Sequence, residues 1–150
     1  MRAVVQVVDK ASVSLDGKEV SSIGKGLLVL LGITASDNEE IARKMAEKIA
    51  KMRVFEDENG KINLNVSSVG GKILLVSQFT LYGSMKEGNR PSFVSAAPRE
   101  ISLPIYEKFA AILKSIGPEV QEGVFGGDMR VSLINHGPTT IIMDSEDLFR

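Results

Sequence analysis

Gly26-Leu27-Leu28-Val29-Leu30-Leu31-Gly32-Ile33 is an almost unbroken apolar run. A strand that faces water on one side alternates apolar with polar residues, and this run does not. It carries the pattern of a strand buried on both faces. Ile73 to Phe79, introduced by Gly70-Gly71, begins in the same way. Upstream, Ala3 to Val8 is rich in β-branched residues and reads as a strand. Ala11 to Leu15 alternates, with Val13 and Leu15 on one face and Ser12 and Ser14 on the other, which predicts a half-buried strand. Asp16-Gly17 is a hairpin turn signal, and Glu19 to Ile23 reads as the returning strand.

Downstream of the run, Ser36 and Glu39 stand at capping-box spacing and predict a helix that starts at Ser36. Ile41, Met45, Ile49 and Met52 give it an apolar stripe, and Glu40, Lys44, Glu47 and Lys48 a solvated face. Asn59-Gly60 marks a tight turn before a strand at Lys61 to Val66. Tyr82 to Pro98 is rich in Gly, Asn, Ser and Pro and reads as a loop of functional length. A second helix is expected from near Leu103 to Ile116, with Pro104 in its first turn. Its inner face would be Ile105, Phe109, Ile112 and Leu113, and Gly117-Pro118 would stop it. Val120 to Phe125, Met129 to Asn135 and Thr139 to Met143 read as three closing strands.

About eight strands and two helices result, too few helices to cover a parallel sheet on both faces. The expected fold is α/β (α+β-like): one domain over residues 1–150, with a curved, mostly antiparallel, barrel-like sheet and two main helices packed outside. A chain of 150 residues fits one core. It has no cysteine, which removes thiolate catalysis, cysteine-bound zinc and disulfide staples. With 18 basic and 19 acidic side chains the net charge is −1, so any nucleic-acid contact has to come from a local basic patch. The apolar stretches are too short to span a bilayer and the N-terminal residues carry no export pattern, so no membrane contact and a cytoplasmic location are expected.

Few residues offer chemistry. His136 is the single histidine, and no nucleophile elbow, paired metal-binding histidines or P-loop is present. Ser77-Gln78-Phe79-Thr80-Leu81-Tyr82 turns polar at the end of an apolar strand, the kind of place where sites are built. Ser77 and Thr80 bring hydroxyls, Gln78 an amide and Phe79 a platform for a ring. Taken alone, the segment reads first as an ordinary strand end, with Phe79 in the core. Asn135-His136-Gly137-Pro138-Thr139-Thr140 holds a Gly-Pro turn signal. Were its X–Pro bond cis, the Gly137 and Pro138 carbonyls would point nearly the same way and make a rigid polar wall; taken alone, the segment reads first as a plain connector, since few X–Pro bonds are cis. Gly123 to Met129 reads as a glycine-bearing hairpin or bulge, with Met129 as core filler. Lys86 and Arg90, in the loop around Gly88, are candidates for phosphate contact or for plain solvation.

Taken together, these segments resemble one family. Ser77-Gln78-Phe79-Thr80 is similar to the signature of the D-aminoacyl-tRNA deacylases, and Asn135 to Thr140 to that family's Asn-x-Gly-Pro-x-Thr motif. Gly88 to Phe93, Phe125-Gly126 through Met129, Met1 to Gln6 and Ile23 to Leu28 match in place and order. The resemblance implies hydrolysis of the ester between a D-amino acid and the terminal adenosine of tRNA, with no metal or organic cofactor. It implies a homodimer with active sites at the interface, where Gly137 and Pro138 of one subunit reach into the pocket of the other and form a wall that excludes L-amino acids but not glycine. Phe125 and Met129 would help bind the substrate, and Lys86 and Arg90 the tRNA. Ser77, Gln78, Phe79 and Thr80 form the catalytic segment; backbone N–H groups near Phe79 and Thr80 would stabilise the oxyanion. Thr80 would position rather than attack, and the substrate's ribose 2′-OH would assist.

Three positions depart from the family pattern. Val7 replaces an arginine that would brace the Gly-Pro segment, for which Arg2 or Arg130 are possible substitutes; His136 replaces an acidic residue, and Thr139 a valine. Two alternatives accompany this reading: a deacylase of relaxed chirality, and a non-catalytic tRNA-binding accessory module.

Overall fold

The computed structural model describes residues 1–149. The apolar run forms β3 (Gly26–Gly32), which lies between β1 (Arg2–Leu15) and β6 (Lys72–Ser77). Its lack of alternation has a direct cause. Leu27, Val29, Leu31, Ile73 and Leu75 point into a core completed by helices, while Leu28, Leu74 and Val76 point into a second core enclosed by the sheet. Full burial of each such side chain is worth about 1.5–3 kcal/mol, so both faces of the central strands stabilise the fold.

β1 is long enough to serve two partners on one edge. Arg2 to Val8 runs antiparallel to β3, and Ala11 to Leu15 runs antiparallel to β2 (Lys18–Ile23). Along its other edge, β1 pairs antiparallel with β8 (Met129–Asp144). β1 also changes face. Val7 packs in the helix-side core, whereas Val8, Ala11 and Val13 enter the inner one, and the ladder slips between Val8 and Lys10. Beyond β3 the sheet continues in parallel, through β6 to β7 (Glu119–Glu122). Met129, Val131 and Leu133 of β8 pack on the inner core with Leu74 and Val76 of β6, so the sheet curls round on itself. The result is the mostly antiparallel, barrel-like sheet expected from the sequence, with two main helices on its outer face.

Those helices are α1 (Glu39–Ala50) and α2 (Arg99–Ile116). The sequence places both starts wrongly. Asn38, not Ser36, caps α1, its Oδ1 accepting from the Ile41 N–H at 3.0 Å. Ser36 lies in a turn closed by Asp37, whose carboxylate accepts from the Thr34 N–H at 2.9 Å and from the Met1 ammonium at 2.7 Å. α2 begins after Pro98, and Pro104 lies inside it. A proline this near an N-terminus removes a single helical bond, and the buried Ser102, Tyr106 and Phe109 hold the turn in place. Gly117 ends the helix as expected.

Short strands β4 (Phe55–Glu56) and β5 (Ile62–Leu64) pair around the Asn59-Gly60 turn. The two closing strands expected at Met129 to Asn135 and Thr139 to Met143 are one strand. Asn135 pairs with Val8 and Thr140 with Gln6, so residues 136–139 stand out of the ladder opposite Val7. A last short helix, α3 (Ser145–Leu148), follows with Asp144 as its cap.

Candidate active site

The polar segment after β6 is built on a close approach. Ser77 pairs with Leu31, the Gln78 N–H donates to the Leu31 carbonyl at 2.8 Å, and the chain then winds into a single 3-10 turn, Phe79–Tyr82. A Cβ at Gly32 would stand 3.0 Å from the Gln78 carbonyl oxygen and 3.0 Å from the Leu81 Cβ. Only a glycine in β3 lets the turn sit this close. The buried Tyr82 anchors the far end. The Arg2 guanidinium lies 4.5 Å over its ring, donates to the Leu81 carbonyl at 3.2 Å and is held by Asp144 at 2.7 Å. Burial, aided by the charges of Asp37 and Asp144, pushes the Tyr82 hydroxyl well above its ordinary pKa and keeps it protonated.

Ser77, Gln78 and Phe79 line a cavity of about 470 Å³. The connection from β7 to β8 contributes Phe125, Gly126 and Asp128, the first residue of β8 contributes Met129, and the start of α2 contributes Arg99 and Ser102. Phe125 is fixed by the ring of Tyr106 at 5.2 Å and by the Arg99 guanidinium at 5.3 Å. The Met129 sulfur accepts from the Val124 N–H at 3.4 Å. Phe79 is not a core residue, as the plain reading of its strand end required. It is 57% exposed and meets Phe93 edge-on at 5.2 Å. A strand end that stops at Ser77 turns it outward.

Thr80 stands beside the cavity rather than in its lining, and its Oγ1 accepts from the Gln78 side-chain amide. Among the described residues, no imidazole or carboxylate bonds to Ser77 or Thr80, and neither the Phe79 nor the Thr80 backbone N–H has an acceptor. His136 is elsewhere, with Nδ1 2.9 Å from Asp9 Oδ1. No three acidic or imidazole side chains among the described residues gather as a metal site.

The Gly-Pro segment is an exposed bend that does not line the cavity of its own chain. The Gly137–Pro138 peptide is cis, and Gly137 has φ 122°, a region that favours glycine. Asn135 fastens the bend: its Oδ1 accepts from the Thr139 N–H at 3.0 Å and its Nδ2 donates to Thr140 Oγ1 at 2.9 Å. Gln6 Nε2 donates to the same hydroxyl at 3.2 Å. Val7 is buried on the helix side. Neither arginine named as its substitute takes that role, since Arg2 serves the 3-10 turn and Arg130 pairs with Asp128 at 2.9 Å. Lys86 and Arg90 project from an exposed loop, outside the cavity lining.

Residues 4–144 match the family model described as D-Tyr-tRNA(Tyr) deacylase. The chain belongs to the D-Tyr-tRNA(Tyr) deacylase family. Among curated members, the D-aminoacyl-tRNA deacylase of Dictyoglomus turgidum is 52% identical over 148 residues, 99% of this chain and 95% of that protein. That of Thermus aquaticus is 52% identical over 147 residues, covering 98% and 97%. A solved structure described as c-Myc DNA Unwinding Element Binding Protein superposes with a TM-score of 0.91 at 41% identity, covering 96% of this chain and 98% of that one. Another, described as a probable eukaryotic D-amino acid tRNA deacylase, shares the fold with a TM-score of 0.81 at 18% identity, covering 95% and 97%.

The matched span of this family member contains both the cavity and the Gly-Pro bend. Sequence reasoning found Ser77, Gln78, Phe79, Phe125 and Met129, which the fold does bring together. It missed Gly32 and Arg99, and it named Arg2 for the Gly-Pro segment rather than for the 3-10 turn. The glycine interrupting an apolar strand was the one available signal for Gly32; nothing local marks the two arginines.

Proposed function

We propose that this chain hydrolyses the ester of D-aminoacyl-tRNA, releasing the D-amino acid and tRNA. The observation that carries the reading is a cavity walled by Ser77, Gln78, Phe79, Phe125 and Met129 in a chain that matches D-aminoacyl-tRNA deacylases over nearly its full length. The unpaired Phe79 and Thr80 N–H groups are the donors for the oxyanion that forms as the ester carbonyl is attacked. With no base beside Thr80, its hydroxyl positions the substrate, and the ribose 2′-OH assists water. Lys86 and Arg90 contact tRNA phosphates outside the cavity.

The working enzyme is a homodimer. The bend at Gly137 and Pro138 is exposed and absent from its own cavity, which fits a bend that reaches the cavity of a partner. The exposed Phe79, Met85, Phe93 and Val94 give the second copy an apolar surface to cover. There the two carbonyls stand against the substrate α-carbon. An L side chain meets them, a D side chain points away, and glycine passes because it has neither. The bend is braced by Asn135, Gln6 and the pair His136–Asp9, so chirality is enforced without the arginine that Val7 replaces.

The test is hydrolysis of matched D-tyrosyl-, L-tyrosyl- and glycyl-tRNA by the purified protein. Rapid loss of the D and glycyl esters with the L ester spared is expected. Equal cleavage of D and L esters overturns the gate; tRNA binding with cleavage of none overturns the activity.

A further inference from the structure

Among the described residues, Arg99 is the only lysine or arginine that lines the cavity. The other charged group in the lining, Asp128, is already countered by Arg130 at 2.9 Å, and no carboxylate among the described residues pairs with Arg99. Arg99 is not loose, however. Its guanidinium packs 5.3 Å from the Phe125 ring, and its Nη1 stands 2.9 Å from where a Cβ of Gly126 would be. A pre-positioned, unpaired guanidinium in a cavity is a receptor for an anion, because its planar fork matches two oxygens at once. The amino-acid ester itself carries no negative charge that every substrate shares. A tRNA 3′ end does, in the phosphodiester that precedes its terminal adenosine.

We infer that Arg99 binds this phosphodiester and so anchors the last nucleotide while the ester lies at Ser77 to Phe79. The inference rests on the deacylase reading and adds a substrate-binding residue to it. It also explains how a chain of net charge −1 holds a polyanion's end, with a local charge inside the cavity adding to Lys86 and Arg90 outside it rather than through a general field.

The experiment compares Arg99→Gln, Arg99→Lys and Arg130→Gln on two substrates, D-tyrosyl-tRNA and D-tyrosyl-adenosine, the second lacking any phosphate. Removing a charge-assisted contact of this kind should lower kcat/KM about tenfold or more, mainly through KM. Arg99→Gln is expected to lose at least about ten times more on the tRNA ester than on the adenosine ester, with a salt dependence of kcat/KM shallower by roughly 0.7 in log–log slope. Arg99→Lys should recover part of the loss, and Arg130→Gln should lose less. Equal losses on both substrates, an unchanged salt slope, or an equal effect of Arg130→Gln overturn the inference. So does a loss confined to D-aspartyl and D-glutamyl esters, which would make Arg99 a reader of the amino acid. If the wild type cleaves neither ester, the deacylase reading falls. The comparison then moves to binding of uncharged tRNA, where weaker and less salt-dependent binding by Arg99→Gln sustains the phosphate contact and unchanged binding refutes it.

Discussion

Gly32 shows how a residue without a side chain governs the candidate site. Its missing Cβ lets the 3-10 turn press against β3, with the Gln78 carbonyl and the Leu81 Cβ both 3.0 Å from where that atom would be. Gly32→Ala should therefore displace Gln78 and Phe79 by a few tenths of an ångström and lower kcat about tenfold or more, with a small change in KM. A midpoint of denaturation close to wild type, measured alongside, would separate this from unfolding. Asn135→Ala removes two hydrogen bonds that fasten the bend, each worth about 1 kcal/mol. It should raise L-tyrosyl-tRNA cleavage relative to D, measured as a ratio of initial rates; an unchanged ratio would mean that Asn135 does not hold the gate. The motif residues were legible through the family resemblance, since hydroxyls and an amide at an apolar strand end fit an ordinary strand end when taken alone. The glycine and the arginines were not, because their roles exist only once distant strands are adjacent.

At the level of elements, helices and buried strands were legible through their patterns, and their ends were not. Ser36 offered a capping box, but Asp37 was drawn into a turn by Thr34 and the Met1 ammonium, so the start of α1 moved to Asn38. The Gly-Pro pair signalled a turn between two strands, yet pairing of β1 with both flanks kept β8 continuous. Arg2 and Asp144 tie the ends of these two strands to the 3-10 turn. Burial works against the Asp144 charge, but the Arg2 hydrogen bond and the Glu146 N–H outweigh it and hold the carboxyl below its ordinary pKa. An acid so depressed binds its proton more weakly folded than unfolded. Its stabilisation is present above the unfolded value of about 3.9 and fades as pH falls through the lower native one. The pair is partly exposed, so about 1 kcal/mol is at stake. Asp144→Asn should lower stability near neutral pH by that amount and narrow the gap to wild type below about pH 4, as read from urea midpoints across pH. A gap that does not vary with pH would refute the charge argument.

For the whole molecule, the curled sheet was legible in the shortage of helices, and the two-core arrangement in the absence of alternation in the central strands. The separation of the Gly-Pro bend from its own cavity was implied only by the family resemblance, because no local pattern encodes which side of a sheet a bulge leaves. The separation of bend and cavity predicts complementation. A protomer with Gly137→Val, damaged in its bend, and one with Gln78→Ala, damaged in its cavity, should each be poorly active alone. Mixed after dissociation, they should recover about a quarter of wild-type activity, since half the dimers are mixed and each carries one intact composite site. No recovery would place each bend with the cavity of its own chain.

The pairing of β1 with β8 along most of its length also has a consequence for the order of events at the ribosome. β1 has to wait for β8 to emerge before its second edge is covered. Until Met129 and the residues after it leave the exit tunnel, the nascent chain exposes an open edge that invites pairing with other chains. Arg2 likewise waits for Asp144. The candidate cavity therefore matures only after β8 is made, and a product terminated before Met129 would be a candidate for aggregation rather than a partial enzyme.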